Sequence, residues 1–363
     1  MREYALVFFV AASVTYLLTP ITRRTAVRWG AMTQPRDRDV HAIPTPRMGG
    51  VAMYGGVAVG MIVAMGLPNL SRGLRGSFEI RAVLVGGGAI CLIGVIDDKW
   101  GIDALTKLTG QVFASGLLVL LGVQLLYIWI PGQPQISLGP ETVPLTILLT
   151  LFMVNSINFV DGLDGLAAGV TAIAASAFFV YSYQLSVVLE VQAAQPATLI
   201  SAVLAGVCVG FLPHNFNPAR IFMGDSGSML LGLMLAAATV SGSSTVDYGA
   251  LGARKGAALF IPLLIPVFVL AVPFVDLLLA VLRRARARRP VFQPDKEHLH
   301  HRLMEIGHSH RRAVLIMYFW SALVAFGGVS FFFARPDVVG AVVGAVTLLA
   351  VLLSNFPRLR GRS

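Results

Sequence analysis

The chain has 363 residues, of which 56% are hydrophobic and only 13% charged, where soluble domains carry about 25% charged residues. A water-soluble domain of this size cannot hide that much apolar surface, which excludes a soluble globular protein and places the excess against lipid. The formal net charge of +10 would suggest nucleic acid only if the basic residues formed a binding face, and their placement argues otherwise.

Apolar runs of about 20 residues read as membrane-spanning helices. Eleven are expected, at 4–22, 48–67, 81–96, 107–127, 143–157, 166–184, 197–213, 228–245, 258–282, 313–333 and 338–355. The third and fifth are short and should continue into their loops. The ninth carries Pro262, Pro266 and Pro273, each lacking a backbone donor, so a kinked or broken helix is expected there. Arg23 and Arg24 follow the first run in place of a small-residue cleavage site, so it reads as a retained span rather than a signal peptide. Cys91 and Cys208 lie inside apolar runs and suggest neither a disulfide framework nor a zinc site.

When the loops are assigned alternately to two sides, 21 of the 28 Lys and Arg residues fall on one side and 7 on the other. The positive-inside rule then places the N-terminus outside and the C-terminus in the cytoplasm. This asymmetry accounts for the net charge, and no nucleic-acid partner is needed. The longest polar stretches, about 25–30 residues, are too short for an independent soluble domain. The expected architecture is an all-α polytopic membrane protein with one domain over 1–363. Its larger polar loops lie near 23–47, 97–107, 158–165, 213–227 and 283–312, expected on the cytoplasmic face of the cell membrane.

Those loops hold unusual polar residues. Asp97-Asp98-Lys99 follows the third span. Adjacent acids at a membrane surface repel one another and anionic head groups, unless a cation or basic partner sits opposite. Asn158, Asp161 and Asp164 recur every third residue between the fifth and sixth spans, so a helical turn would gather them. Gly162 and Gly165 would let a ligand approach closely.

Between the seventh and eighth spans, Gly224-Asp225-Ser226-Gly227 opens an apolar helix. Asp225 or Ser226 could cap it, and a helix N-terminus also favours phosphate. In the largest loop a basic run, 283–289, suits an orientation anchor contacting membrane lipids. Asp295 through Leu303 follow, with His298, His300, His301 and Arg302. Three histidines could bind a transition metal or donate to a diphosphate. The carboxylate and amide oxygens elsewhere suit a hard dication, which favours phosphate and sugar contacts for the histidines. Asp276 is an intramembrane acid, a functional or hydrogen-bonding candidate.

Carboxylates, a divalent cation and basic donors together suit chemistry at phosphorus. A membrane-surface site implies one water-soluble and one lipid-borne substrate. An ion-coupled transporter is the competing class, but transporters place coupling charges near the bilayer midplane, whereas these acids gather in loops on one face.

From Pro44-Thr45-Pro46-Arg47-Met48-Gly49-Gly50 through the His298–Leu303 motif, the chain resembles the polyprenyl-phosphate N-acetylhexosamine-1-phosphate transferases, glycosyltransferase family 4. The resemblance implies transfer of a sugar 1-phosphate from a UDP-sugar to a long-chain polyprenyl phosphate, releasing UMP. It implies that Asp97 and Asp98 lie near the lipid phosphate, one of them deprotonating or positioning it. Asn158 and Asp225 match positions that help hold Mg²⁺, with Mn²⁺ as an alternative, and Asp161 and Asp164 match the neighbouring acidic motif. Asn215 and Phe222 fall where the family contacts uracil. Lys107 matches a basic position near the nucleotide, and Arg47 joins the substrate contacts. His298, His300, His301 and Arg302 resemble diphosphate and sugar contacts. The His-Leu-His-His-Arg-Leu order is similar to the UDP-GlcNAc branch serving wall or surface polysaccharides. The alternative is the phospho-MurNAc-pentapeptide branch of peptidoglycan synthesis, which tends to have three consecutive histidines. A one-step displacement and a route through an aspartyl-phosphate both fit, and a homodimer is compatible with a sequence that specifies no oligomeric state.

Overall fold

Lipid offers no hydrogen-bond partners, so an apolar run in a membrane satisfies its backbone internally and becomes a helix. The computed structural model describes residues 1–33, 44–74, 76–128, 136–243, 309–335 and 337–348. In chain order the helices are α1 (Arg2–Trp29), α2 (Gly49–Gly66), α3 (Pro68–Gly73), α4 (Glu79–Trp100), α5 (Ala104–Leu120), α6 (Thr142–Val160), α7 (Leu166–Tyr183), α8 (Gln195–Asn215), α9 (Gly224–Ser243), α10 (His310–Phe333) and α11 (Asp337–Leu348). A π-helical turn, Gln184–Val188, continues α7. Two short antiparallel hairpins join them: β1 (Met32–Thr33) pairs with β2 (Thr45–Pro46), and β3 (Tyr127–Ile128) with β4 (Ile136–Ser137). Among the described residues eight helices are long and apolar enough to cross a membrane, so the protein is an all-α polytopic membrane protein. The expected ninth span, 258–282, and the end of the eleventh lie outside the described residues.

Several helices run past their apolar cores. The third span, expected at 81–96, continues to Trp100, so Asp97 and Asp98 stand on the last turn of α4 rather than in a loop. The fourth is shorter than the expected 107–127. Helix α5 stops at Leu120, and the chain goes on in irregular form, with Leu125 N donating to Thr146 Oγ1 at 2.9 Å. The spacing of Asn158, Asp161 and Asp164 does not gather them on one face. Helix α6 ends at Val160, and Gly165, with φ +79°, turns the chain into α7. Asp164 therefore points to a different loop from Asn158.

Helix α9 is the centre of the bundle, buried from Ser226 to Ser243 and contacted by α2, α4, α6, α7 and α8. Between helices in lipid there is little hydrophobic driving force, so close approach of small residues and specific hydrogen bonds set the packing. One such close approach is at Gly94 of α4, where an added Cβ would stand 2.3 Å from Ser226 Cα.

The two ends of the bundle differ in chemistry. At one end, the Glu3 carboxylate caps α3 by accepting from Leu70 N at 2.8 Å. At the other, Arg47 N donates to Ala31 O at 3.0 Å, Phe222 N to Pro46 O at 2.9 Å and Gly50 N to Met223 O at 3.0 Å. The Lys99 ammonium donates to the Trp29 carbonyl at the C-terminus of α1, where the helix dipole favours a cation. The acidic motifs of the described loops all meet at this second end.

Gly94→Ala should destabilise the bundle by about 1–3 kcal/mol, the usual cost of overpacking. It should visibly lower the thermal unfolding midpoint of the purified protein. Gly116→Ala, where a Cβ would meet nothing within 4 Å, is the control and should leave the midpoint unchanged.

Candidate active site

Adjacent residues on a helix point about 100° apart, so Asp97 and Asp98 serve different partners. Asp98 is buried, with 7% exposure, and turns inward to the start of α9. Its carboxylate accepts from Asp225 N at 2.8 Å, Ser226 N at 3.2 Å and Ser226 Oγ at 2.7 Å. It thus caps α9 from another helix, satisfying free N–H groups and opposing the positive end of the dipole. The sequence offered Asp225 and Ser226 as caps of their own helix; in the structure both donate to Asp98. Gly224 makes this contact fit: its φ is +68°, and a Cβ there would stand 2.4 Å from the Asp98 carboxylate.

Asp97 faces the other way. Its Oδ1 accepts from Ile102 N at 2.9 Å, which shapes the turn into α5. Its Oδ2 lies 2.9 Å from Lys107 Nζ. Asp103 caps α5 by accepting from Leu105 N and Thr106 N, which sets Lys107 one turn inside the helix. The same ammonium lies 2.8 Å from Asp225 Oδ1, so Lys107 bridges one carboxylate from α4 and one from α9.

Asn158, on the last turn of α6, completes the contact. Its amide donates to Asp225 Oδ1 and to Ser228 Oγ at 2.9 Å. Three helix ends, those of α5, α6 and α9, therefore converge on a single carboxylate.

Asp161 follows α6 on the same side. Burial, then the charges of Asp225 and Asp98, push its carboxyl up to about 8, while Arg47 pulls the other way. Arg47 itself is held by a hydrogen bond from its Nε to Thr33 Oγ1. With the Asp161 proton retained, the local balance is still acidic, with Asp97, Asp98 and Asp225 against Lys107 and Arg47.

Two further expected site residues are tied to neighbouring loops. Asp164, 3% exposed, accepts from Asn217 Nδ2 and Ala219 N, both at 3.0 Å. Asn215, 2% exposed, accepts from Gly165 N at 3.1 Å and donates to Ile221 O at 3.0 Å. Together they fasten the 161–165 turn to the 216–221 loop. The structure thus gives Asn215 a loop-tying place. Phe222 is half-buried, its backbone paired with Pro46 and Gly49. His298, His300, His301 and Arg302 lie outside the described residues.

Among the described residues no three His, Cys, Asp or Glu side chains converge as a metal cage. The acidic excess and the oxygen donors of Asp225 and Asn158 nevertheless suit Mg²⁺, which commonly takes one or two carboxylates and completes its shell from water and substrate phosphates. Sequence reasoning missed Ser226 and Ser228 as partners of the acids. Their spacing from Asp225, one and three residues, was the available signal.

A family model described as glycosyl transferase family 4 matches residues 80–243. The chain is 50% identical to the decaprenyl-phosphate N-acetylglucosaminephosphotransferase of Mycolicibacterium smegmatis, across 99% of this chain and 90% of that protein. It is 35% identical to the probable undecaprenyl-phosphate N-acetylglucosaminyl 1-phosphate transferase of Bacillus subtilis, across 88% and 82% of the two chains. Against the phospho-N-acetylmuramoyl-pentapeptide-transferase of Mycobacterium bovis the identity is 32%, across 70% and 80%.

The different partners of the acid pair separate two variants. Asp98→Ala strands the donors of α9 in a buried place, at about 1–3 kcal/mol for each unsatisfied group. It should lower the thermal unfolding midpoint and abolish turnover. Asp97→Ala should abolish turnover with a much smaller change in midpoint, and equal midpoints would refute the division of roles.

Asp161 gives a pH test. With a folded value of about 8 against an ordinary 3.8, the folded state binds more protons than the unfolded state between those values, so stability falls as pH rises through that window. In chelator, Asp161→Asn should raise the unfolding midpoint at pH 8.5, and the gain should shrink toward pH 5. A gain that grows toward pH 5 would contradict a retained proton.

Proposed function

The chain belongs to glycosyl transferase family 4, among its polyprenyl-phosphate N-acetylglucosaminephosphotransferases, and we propose that it moves GlcNAc-1-phosphate from UDP-GlcNAc to a long polyprenyl phosphate. An oxygen of the lipid phosphate bonds to the sugar-bearing phosphorus of the donor, the diphosphate P–O bond breaks, and UMP leaves. The observation that carries this reading is the meeting of Asp97, Lys107, Asn158 and Asp225 where helix ends converge. There a water-soluble donor and a lipid phosphate can both arrive. The arrangement is unlike a transporter's, whose coupling charges sit near the bilayer midplane.

The residues divide the work by chemistry. Lys107 offers an ammonium to donor phosphate oxygens once its carboxylate partners turn to other charges. Asp97, paired with Lys107, is placed to accept the acceptor's proton or to position its phosphate. Asp98 keeps the α9 N-terminus, and with it Asp225, at fixed depth. Mg²⁺ held by Asp225 and Asn158 would offset phosphate charge and stabilise the leaving phosphate. Arg47 and the loop of His298, His300, His301 and Arg302 are assigned to donor diphosphate and sugar. Eleven spans, a single catalytic domain, an external N-terminus and a site on the cytoplasmic face of the cell membrane complete the reading, supported by the charge asymmetry of the loops.

A GlcNAc donor, rather than a muramoyl-pentapeptide one, is favoured by the higher identity to GlcNAc phosphotransferases than to the pentapeptide transferase, 50% against 32%. Purified protein with decaprenyl phosphate and Mg²⁺ should form the GlcNAc-diphosphate lipid and UMP. UDP-MurNAc-pentapeptide at equal concentration should react at least about 100-fold more slowly, the range steric exclusion can supply. Chelator should stop the reaction, and Asp225→Asn should cost about 100-fold at limiting Mg²⁺. A better rate with the pentapeptide donor would overturn the branch; turnover in chelator would overturn the metal.

A further inference from the structure

The helices that meet at Asp225 meet again one turn deeper in the membrane. Gln111 follows Lys107 by four residues on α5, Asn155 precedes Asn158 by three on α6, and Met229 follows Asp225 by four on α9. Helices α5 and α9 enter the membrane from the site end and α6 leaves through it, so each step leads inward by one turn. These residues are joined as the layer above them is. Asn155 Nδ2 donates to Gln111 Oε1 at 2.9 Å, and Gln111 Nε2 donates to Asn155 Oδ1 at 3.4 Å and to Met229 Sδ at 3.3 Å. Asn155 Nδ2 also donates to Leu151 O at 2.8 Å, which fixes its amide against its own helix. Gln111 is 1% exposed.

We propose that Gln111 and Asn155 are positioning residues for the phosphotransfer: their reciprocal amide pair sets the rotation and depth of α5 against α6, and so holds Lys107 on the Asp225 oxygen that Asn158 also meets. The proposal rests on the transferase reading above. Apolar side chains could pack these helices without placing an amide in the membrane. An amide pair adds direction, because its two hydrogen bonds close in only one relative rotation and register of the helices. The residues it controls lie one turn away on the same rigid helices, so a small rotation at the deep layer moves the Lys107 ammonium off its two carboxylates.

The test uses the full chain, purified, with decaprenyl phosphate and Mg²⁺, and offers UDP-GlcNAc and UDP-MurNAc-pentapeptide separately. Wild-type turnover reads the donor, and the variants are then measured on whichever donor reacts. Gln111→Ala and Asn155→Ala should each lower kcat about 10- to 100-fold, as misplacements of about 1 Å do. The double alanine variant should be no worse than either single one, since both break one pair. The exchange Gln111→Asn with Asn155→Gln restores two amides across the same gap and should recover turnover to within about three-fold of wild type.

The decisive comparison is made in a Lys107→Ala background. If Gln111 acts through Lys107, Gln111→Ala should cost less than about two-fold there. A purely structural defect would lower the folded fraction equally in both backgrounds. Alanine variants within two-fold of wild type, no recovery in the exchange, or a full loss retained in the Lys107→Ala background would each overturn the proposal. If neither donor reacts with the wild-type protein, the transferase reading fails and takes this proposal with it. Turnover of the pentapeptide donor alone would overturn only the choice of branch.

Discussion

The site depends on one carboxylate reaching into the start of a neighbouring helix. Asp98 belongs to α4, yet its three hydrogen bonds are to Asp225 and Ser226 of α9. Without it the N-terminus of a fully buried helix would hold unpaired donors, which lipid cannot satisfy. With it, α4 and α9 are locked at a fixed depth and Asp225 emerges at a defined point. Lys107 and Asn158 can then be aimed at that point from α5 and α6. An exposed ion pair would contribute little, but these contacts are partly shielded and each group has more than one partner.

This arrangement resolves a difficulty raised by the acid pair. Two adjacent acids at a membrane face repel each other and the head groups. The fold divides them, one onto backbone donors with a positive dipole and the other onto an ammonium. Asp97 shares the Lys107 ammonium with Asp225, and Asp98 rests on the donors of α9. The upward shift of Asp161 follows first from burial and then from the neighbouring charges of Asp225 and Asp98.

The sequence made the helices legible because lipid imposes length and apolarity on every span. It also made the motif content legible, since carboxylates and amides in such a chain are costly and few. Direction was harder to read. The spacing of Asn158, Asp161 and Asp164 suggested one face, but a turn at Gly162 and Gly165 sends Asp164 to the 216–221 loop. The family resemblance placed Asn215 near uracil, and only the three-dimensional path reveals that its amide is bonded to Gly165 and Ile221. The Gln111–Asn155 pair was unreadable for a related reason. Its partners lie 44 residues apart on separate helices, and nothing local in either segment announces the other.

The early end of α5 has a consequence for how the enzyme meets bilayers of different thickness. A regular helix can tilt or slide to match its surroundings. Helix α5 has 17 residues, about 26 Å at the usual rise, and is fastened at both ends. Asp103 caps its start, and beyond its finish Leu125 is bonded to Thr146 of α6. Its axial position is therefore set by protein contacts, and the Lys107 ammonium keeps its height relative to Asp97 and Asp225 whatever the lipid. The 28-residue α1 is held in the same way, by Glu3 on α3 at its start and by Lys99 at its finish.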